Sequence, residues 1–173
     1  MNLAAKLKQR AAAGRPVAVG LIGAGKFGSM FLAQARTTPG LHVLGIADLS
    51  LDRARNALSN TGWDADAVIA SSFDDARRTG RTMLCEDAEQ LIRTGGLEVV
   101  IDATGIPAAG IRHALLAAEH GRHIVMVNVE ADVLAGPLLA ERFRKAGLVY
   151  SMAYGDQPAL VCEMVEWAEA CGF

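Results

Sequence analysis

Short apolar runs alternate with helical patterns along this chain from Arg15 to its end. Because parallel strands need a crossover connection, usually a helix, this alternation predicts a parallel sheet with helices on both faces. The first run, Pro16 to Ile22, is continuous and rich in β-branched residues, as is typical of a strand that is buried on both faces. The pattern therefore predicts an α/β fold.

Six of these runs are assigned as strands. The predicted strands are residues 16–22, 41–47, 82–85, 97–102, 123–128 and 148–153. The predicted helices are residues 29–36, 51–58, 87–93, 108–120, 132–146 and 158–171, and residues 62–80 mix a short apolar patch with a further short helix. The strands form two βαβαβ halves of a doubly wound Rossmann sheet, whose ligand crevice lies where the strand order reverses. We expect one Rossmann domain over residues 15–173, after a lead-in helix over residues 1–14.

Composition narrows the class of partner. The chain has 173 residues, 51% of them hydrophobic, a formal charge of -2 and a sequence pI near 6.1, so the totals give no electrostatic sign of nucleic-acid binding. No apolar run approaches the roughly 20 residues that span a bilayer, and the first residues lack the apolar centre of a secretory signal. Three cysteines without CxxC spacing suit a reducing compartment. We expect a cytoplasmic protein with a small-molecule partner.

The strongest motif is GAGKFG, from Gly23 to Gly28, which matches GxGxxG between a buried strand and a helix. Gly23 permits the tight turn, Gly25 lets the backbone approach a pyrophosphate, and Gly28 lets the helix pack on the strand. Lys26 and Phe27 complete the loop, where free amides at the helix N-terminus face the phosphates. The side chain of Lys26 could touch a phosphate, although the residue at that position usually points to solvent.

Asp48 supports the same interpretation, because it lies 20 residues after Gly28 at the end of the second strand. A carboxylate there accepts hydrogen bonds from adenosine ribose hydroxyls, and the alternative is that Asp48 only caps the next helix, whose first turn Ser50 can also cap. The carboxylate would repel a 2′-phosphate, so we expect NAD, with NADP left open. Arg53 and Arg55 could turn towards a phosphate, but solvated helix surface is the simpler account of both.

A second wall of the crevice is expected at the strand end Asp102 to Pro107, where a glycine turn precedes a proline-initiated helix. The end of the fifth strand and the segment Tyr154 to Gln157 should reach the same rim by topology. These polar residues could instead serve only as helix caps. The residues expected to contact the cofactor here are Ala103, Thr104, Gly105, Asn128 and Glu130.

The histidines do not predict a metal site. His113, His120 and His123 lie on one helix and its exit, but no acidic or cysteine partner has convincing spacing. We therefore expect no metal.

Four segments carry a family resemblance: GLIGAGKFG, IDATGIP, VMVNVEAD and YGDQPA. Through them nearly the whole chain resembles the N-terminal domain of homoserine-dehydrogenase-like oxidoreductases, especially those with a SAF domain. It is also similar to deoxyxylulose-phosphate reductoisomerase-like enzymes. The resemblance implies a nicotinamide cofactor, held by Gly23, Gly25 and Gly28 with contacts from Thr104, Gly105, Asn128 and Glu130.

The chain departs from both groups in one respect each. True homoserine dehydrogenases have an Asn-Lys pair after the fifth strand, whereas this chain reads Asn128-Val129-Glu130. The reductoisomerase-like enzymes have no acid at the position of Asp48. The implied activity is hydride transfer between the cofactor and a small polar hydroxy or oxo substrate.

In the resembling family the substrate domain and its catalytic lysine and acids follow the helix after the sixth strand, beyond Phe173. The lysines of this chain, Lys6, Lys8, Lys26 and Lys145, have no position suited to a proton relay. We expect cofactor binding without turnover. The alternatives are an NAD(H)-sensing module and a Rossmann domain for a methyl donor or a nucleotide sugar.

The last predicted helix suggests a homo-oligomer. Its apolar face would be short of cover if the substrate domain were absent, and exposed apolar patches commonly mark interfaces. The residues of that face are Leu160, Met164, Trp167 and Cys171.

Overall fold

The computed structural model describes residues 2–153 and 157–173, and its strands form one six-stranded sheet. The strands are β1 (Val17–Ile22), β2 (Leu41–Ala47), β3 (Met83–Cys85), β4 (Val99–Asp102), β5 (His123–Met126) and β6 (Tyr150–Met152). All neighbouring strands pair in parallel, in the order β3-β2-β1-β4-β5-β6. This is the doubly wound order, so the predicted Rossmann fold is confirmed. The order reverses between β1 and β4, which places the ligand crevice at their carboxyl ends.

The helices connect these strands. They are α1 (Leu3–Ala12), α2 (Lys26–Ala35), α3 (Leu51–Asn60), α4 (Ala65–Val68), α5 (Phe73–Thr79), α6 (Ala88–Arg93), α7 (Pro107–Glu119), α8 (Val129–Lys145) and α9 (Gln157–Ala170). None of these helices is both long and apolar enough to cross a bilayer, within the residues that the structure describes.

Two buried apolar clusters cover the two faces of the sheet. Leu21 and Ile101 pack with α2 and α3 on one face, whereas the adjacent residues Ile22 and Val100 pack with α6, α7 and α8 on the other. Successive side chains of a strand point to opposite faces, so the central strands supply both clusters. This is why their sequences are apolar without alternation, as expected for strands buried on both sides.

Glycines in two central strands let α6 approach the sheet closely. A Cβ on Gly45 of β2 would lie 2.6 Å from a Leu91 side-chain carbon, and one on Gly20 of β1 would lie 3.1 Å from the same side chain. Leu91 is fully buried above them. The small strand residues therefore position α6, whose N-terminus reaches the crevice.

Several element boundaries differ from those predicted. Helix α2 begins at Lys26 rather than residue 29, β5 ends at Met126 rather than residue 128, and α8 begins at Val129 rather than residue 132. The last two differences have one cause. The Asn128 side chain accepts a hydrogen bond from the Ala131 N–H at 3.1 Å, so it caps α8 instead of continuing the strand.

The segment over residues 62–80 folds into two short helices, α4 and α5. Asp64 and Ser72 cap their N-termini, and Gly80 ends α5 in the left-handed conformation at φ 75°. The prediction of a single short helix in this segment is therefore wrong, because the segment contains two. The expected Ser50 cap of α3 is confirmed, since its hydroxyl accepts from the Arg53 N–H at 3.2 Å.

The lead-in helix α1 has no buried residue and is attached by polar contacts. Arg10 pairs with Glu98 at 2.5 Å and donates to the carbonyl oxygens of Arg15 and Pro16. Because Glu98 also accepts from the Ala18 N–H, this contact ties α1 to the start of the sheet.

We expect Phe143→Ala to lower the free energy of unfolding by about 3–5 kcal/mol, because it opens a cavity beneath α8. Phe143 is fully buried and meets the Tyr150 ring edge-on at a centroid distance of 5.5 Å. Urea denaturation measures the loss. Leu138→Ala on the same helix is the control, since Leu138 is 78% exposed and its truncation should cost less than about 0.5 kcal/mol. Equal effects of the two substitutions would contradict this account of the core.

Candidate functional site

A cavity of about 660 Å³ lies at the carboxyl ends of β1, β2 and β4, where the strand order reverses. Pockets of open α/β sheets are expected at this point, and the volume suits a small ligand or part of a dinucleotide. Its lining comes from the glycine turn, the ends of β2 and β4, the β3–α6 loop and one face of α7.

The residues predicted as cofactor contacts divide into two groups. Those that line the cavity are Gly23, Gly25, Asp48, Ala103 and Thr104. The others do not line the cavity itself: Lys26, Phe27 and Gly28 form the first turn of α2 beside it, Gly105 lies in the turn after β4, and Asn128 and Glu130 lie at the start of α8. The predicted rim segment Tyr154 to Asp156 lies outside the described residues, and Gln157 begins α9.

The glycine turn is held against the end of β4. Gly23 adopts φ 97°, a conformation that favours glycine, and a Cβ on it would lie 2.7 Å from the Ala103 carbonyl oxygen. A Cβ on Gly28 would overlap the Gly23 carbonyl oxygen, so Gly28 lets α2 pack on the turn. These contacts match the roles expected for the first and last glycines of the motif.

Gly25 differs from Gly23 and Gly28, the other two glycines of the motif, because it faces open space. No described atom lies within 4 Å of a Cβ built there, and Gly25 is the N-cap of α2 without a side-chain cap. The amides of Lys26 and Phe27 in the first turn have no carbonyl partner within the helix, while both side chains are exposed. The start of α2 therefore offers uncapped N–H groups and a positive helix dipole to an anion.

Asp48 lies at the end of β2 with only 4% of its side chain exposed. Its Oδ2 accepts from the Ala24 N–H at 2.8 Å, and its Oδ1 accepts from the Ser50 N–H at 2.9 Å. Arg53 adds a two-pronged contact, with Nη2 at 2.6 Å from Oδ1 and Nε at 2.9 Å from the same oxygen. Asp48 thus links the glycine turn to α3, and Ser50 rather than Asp48 caps that helix.

The charge state of Asp48 follows from these contacts. Burial alone would raise the pKa of its carboxyl, but the hydrogen bond from Arg53 and those from the Ala24 and Ser50 amides outweigh burial and hold the pKa below its usual range. Asp48 is therefore ionised at neutral pH and acts as a hydrogen-bond acceptor only.

The two arginines of α3 have separate roles, which corrects the expectation that both are solvated helix surface. Arg55 pairs at 2.7 Å with Asp66, whose side chain is 92% exposed, whereas Arg53 contacts the buried Asp48. Arg53 also lines the cavity. Spacing alone could not separate them, because only the bend of the chain after β2 decides which arginine faces the carboxylate.

A buried polar network closes the end of β4. Asp102 is fully buried, and its Oδ2 lies 2.6 Å from Nδ1 of His113 on α7. Thr104 donates its hydroxyl to Oδ1 at 2.8 Å, and the Asn128 amide donates to the Thr104 hydroxyl and to the Ile106 carbonyl oxygen. The buried Asn128 side chain thus connects the turn after β4 to the start of α8 through hydrogen bonds and does not line the cavity. Glu130 is exposed on α8.

Asp102 is ionised within this network. Burial would raise its pKa, but hydrogen bonds from His113 and Thr104 outweigh burial and lower the pKa below the usual range. Because a carboxylate accepts only, Nδ1 of His113 carries the proton. The three histidines considered above have separate positions: His113 is in this network, His120 is the C-cap residue of α7, and His123 accepts from the Val149 N–H. Within residues 2–153 and 157–173 no His, Cys, Asp and Glu grouping could hold a metal.

Ile106 belongs to the expected wall from Asp102 to Pro107, but the rest of the cavity lining was not predicted. Ala109 and His113 lie on one face of α7 with Ile106 at its N-cap, and an acidic rim comes from the β3–α6 loop at Glu86 and Asp87. The α7 face has a recognisable i, i+3, i+7 signal, but apolar and small residues at that spacing also suit a core. The described lining contains no lysine, serine or cysteine, so it can bind and orient a ligand but offers no such nucleophile.

Comparisons with known proteins bear on the fold. No family model matches the chain, and no curated protein matches it. Solved structures do match. A homoserine dehydrogenase from Thiobacillus denitrificans is similar at a TM-score of 0.64 and 16% identity, over 80% of this chain and 29% of that one.

Two further similar structures contain cofactors. Biliverdin reductase from Synechocystis, with biliverdin and NADP+, has a TM-score of 0.60 and 17% identity over 80% of this chain and 38% of that one. Myo-inositol dehydrogenase from Lactobacillus casei, with NAD(H) and myo-inositol, has a TM-score of 0.56 and 15% identity over 75% of this chain and 34% of that one. The chain spans about a third of the length of the solved structures it matches. At this identity the likeness establishes the fold.

We expect Asp102→Asn to lower the free energy of unfolding at pH 7 by about 3 kcal/mol, since it removes a buried carboxylate that accepts hydrogen bonds from His113 and Thr104 and puts an amide N–H donor beside those donors. Because folding lowers the pKa of Asp102, its contribution to stability is present above about pH 4 and is lost as the pH falls through the folded-state pKa.

Urea denaturation between pH 7 and pH 3 tests this expectation. The original chain should lose stability below about pH 4, and Asp102→Asn should lose less over that range. Asp66→Asn is the control, because Asp66 is almost fully exposed and its replacement should change stability at pH 7 by less than about 0.5 kcal/mol. A variant as stable as the original at pH 7 would show that the network does not stabilise the fold.

Proposed function

We propose that this chain is the cofactor-binding domain of an NAD(P)-dependent oxidoreductase. The observation that carries the proposal is an open glycine turn beside an uncapped helix N-terminus, at the point where the order of a doubly wound sheet reverses. A buried, ionised carboxylate lies at the end of the neighbouring strand. Strand, glycine turn, helix start and strand-end acid together form the dinucleotide fingerprint.

The residues present fit a dinucleotide. The space above Gly25 leaves room for a diphosphate over the amides of Lys26 and Phe27. Asp48 is placed to accept hydrogen bonds from the adenosine ribose, and Ala103 and Thr104 form the opposite wall. Apolar side chains at Leu49 and Ile106 suit the faces of an aromatic ring. The similar structures that contain NAD(H) and NADP+ support this choice of ligand.

The bound cofactor would supply hydride transfer between C4 of its nicotinamide and a carbonyl or alcohol carbon. The part of this chain is to bind and orient it. We propose a small polar hydroxy or oxo substrate of the homoserine-dehydrogenase-like kind, taken up by a substrate domain outside this chain. This is supported by the described part of the cavity lining, which holds no lysine, and by the similar structures, of which this chain spans about a third. The chain alone should bind cofactor without turnover.

We expect Gly25→Val to weaken binding of NADH and NADPH at least tenfold, because the new side chain would stand where the diphosphate meets the helix amides, and each charge-assisted hydrogen bond is worth about 1.5–3 kcal/mol. Nicotinamide fluorescence during titration measures the affinity. Gly25 has φ -77° and open space around its Cβ, so the substitution should leave the fold intact.

Ala140→Val is the matched control, since Ala140 is exposed on α8, away from the cavity. It should bind both cofactors as the original chain does. If the original chain binds neither NADH nor NADPH at millimolar concentration, the proposed function is wrong. If Gly25→Val binds them unchanged, the diphosphate does not lie over the glycine turn.

We also propose that the chain self-associates through α9. Its apolar residues Leu160, Met164 and Trp167 are 41%, 70% and 65% exposed, and Cys171 is exposed as well. Burying such a face between two copies would remove apolar surface from water. Sedimentation should show a dimer at micromolar concentration that Trp167→Glu dissociates, and a monomer at all concentrations would contradict this proposal.

A further inference from the structure

We propose that Arg53 sets the choice between NAD and NADP in the site described above, an inference that rests on the proposed function. In the free chain Arg53 pairs with the Asp48 carboxylate at 2.6 Å, and both residues line the cavity that would receive the ribose diol. Binding of NAD must displace this guanidinium without giving it a new partner, whereas the 2′-phosphate of NADP gives it one. The site should therefore accept NADP despite the acid at the end of β2.

The carboxylate of Asp48 already accepts hydrogen bonds from four N–H donors. An ionised carboxylate offers about four lone-pair positions. The Ala24 amide uses one on Oδ2 and the Ser50 amide one on Oδ1. Nη2 of Arg53 donates to Oδ1, and Nε of Arg53 is shared between Oδ1 at 2.9 Å and Oδ2 at 3.1 Å. Ribose hydroxyls that donate to Asp48 must therefore replace an existing donor.

Arg53 is the donor that can leave. Ala24 and Ser50 bind through backbone amides whose positions are set by the glycine turn and by the start of α3. Arg53 binds through a long side chain that is 55% exposed. It also lines a second, more open cleft of about 400 Å³ between α2 and α3, which provides space for the displaced guanidinium.

The composition of this second cleft favours a phosphate over a hydroxyl, but only moderately. Arg53 supplies a planar cation suited to phosphate, and Ser29 and Ser50 line the same cleft. Asp52 also lines it and adds a negative charge. Because Arg53 compensates Asp48 and one further acid remains, we expect the original chain to bind NADH and NADPH within about tenfold of one another, a difference below about 1.4 kcal/mol.

The simple rule for a strand-end acid predicts a different result. A free carboxylate would accept the ribose diol and repel a 2′-phosphate, which gives a strong preference for NAD. The ion pair with Arg53 weakens both effects. Removing Arg53 should therefore restore the preference for NAD: the affinity for NADH should rise and the affinity for NADPH should fall.

Arg53→Gln tests this, with titrations of NADH and NADPH followed by nicotinamide fluorescence. We expect NADH to bind about threefold or more tighter, because no guanidinium has to be displaced, and NADPH to bind about tenfold weaker, because a charged phosphate contact is lost. Arg55→Gln is the matched control on the same helix. It removes only the surface pair with Asp66 and should leave both affinities unchanged.

Affinities for NADH and NADPH that change in opposite directions cannot come from partial unfolding, because partial unfolding would weaken the binding of both cofactors. If Arg53→Gln weakens both, or changes neither, the inference is overturned while the proposed function stands. If the original chain binds neither cofactor, the proposed function itself fails. If Arg53→Gln does not fold, Asp48→Asn is the deciding variant. It should lower the affinity for NADH and leave the affinity for NADPH unchanged or higher, and any other result overturns the inference.

A readout on the free chain is independent of any cofactor. Arg53 helps to hold the pKa of Asp48 below its usual range, so NMR titration of the Asp48 carboxyl carbon should show a higher pKa in Arg53→Gln than in the original chain. An unchanged pKa would mean that Arg53 does not hold this carboxylate in solution, and the inference would fail.

Discussion

The close approach of the glycine turn to the end of β4 is the constraint on which the rest of the site depends. Only a residue without a side chain fits between β1 and the Ala103 carbonyl oxygen. That approach directs the chain into α2 with its first amides uncapped and brings the Ala24 amide onto Asp48. One steric condition, at the residue that follows β1, therefore places the uncapped start of α2 and the neighbouring carboxylate together.

The two buried carboxylates of the site illustrate two ways of keeping a charge in a protein interior. Asp102 is held by the buried side chains of His113 on α7 and Asn128 at the start of α8, and by Thr104 in the turn after β4, so its network stabilises the junction of β4, α7 and α8. Asp48 is held by two backbone amides and one half-exposed arginine. A buried charge needs compensating donors in either case, but only the arginine can exchange with a ligand.

Much of the fold follows from local patterns. The six strands, the doubly wound order and the placement of the glycine motif could all be predicted, because a buried strand and a capped helix have strong local signatures. Short elements were harder. Residues 62–80 form α4 and α5, where cap residues close in sequence compete as start signals. Asn128 was assigned to the end of the fifth strand, whereas its side chain caps α8.

By itself, the sequence determined which backbone positions must lack a side chain and which strand ends carry an acid, because both depend on residue type at one place in the chain. Only the tertiary structure decided the partners of those acids. Arg53 rather than Arg55 meets Asp48, and His113 meets Asp102, because the crossing of helices over the sheet brings residues from different elements within hydrogen-bond distance. Such contacts depend on three-dimensional packing, and spacing along a chain does not encode them.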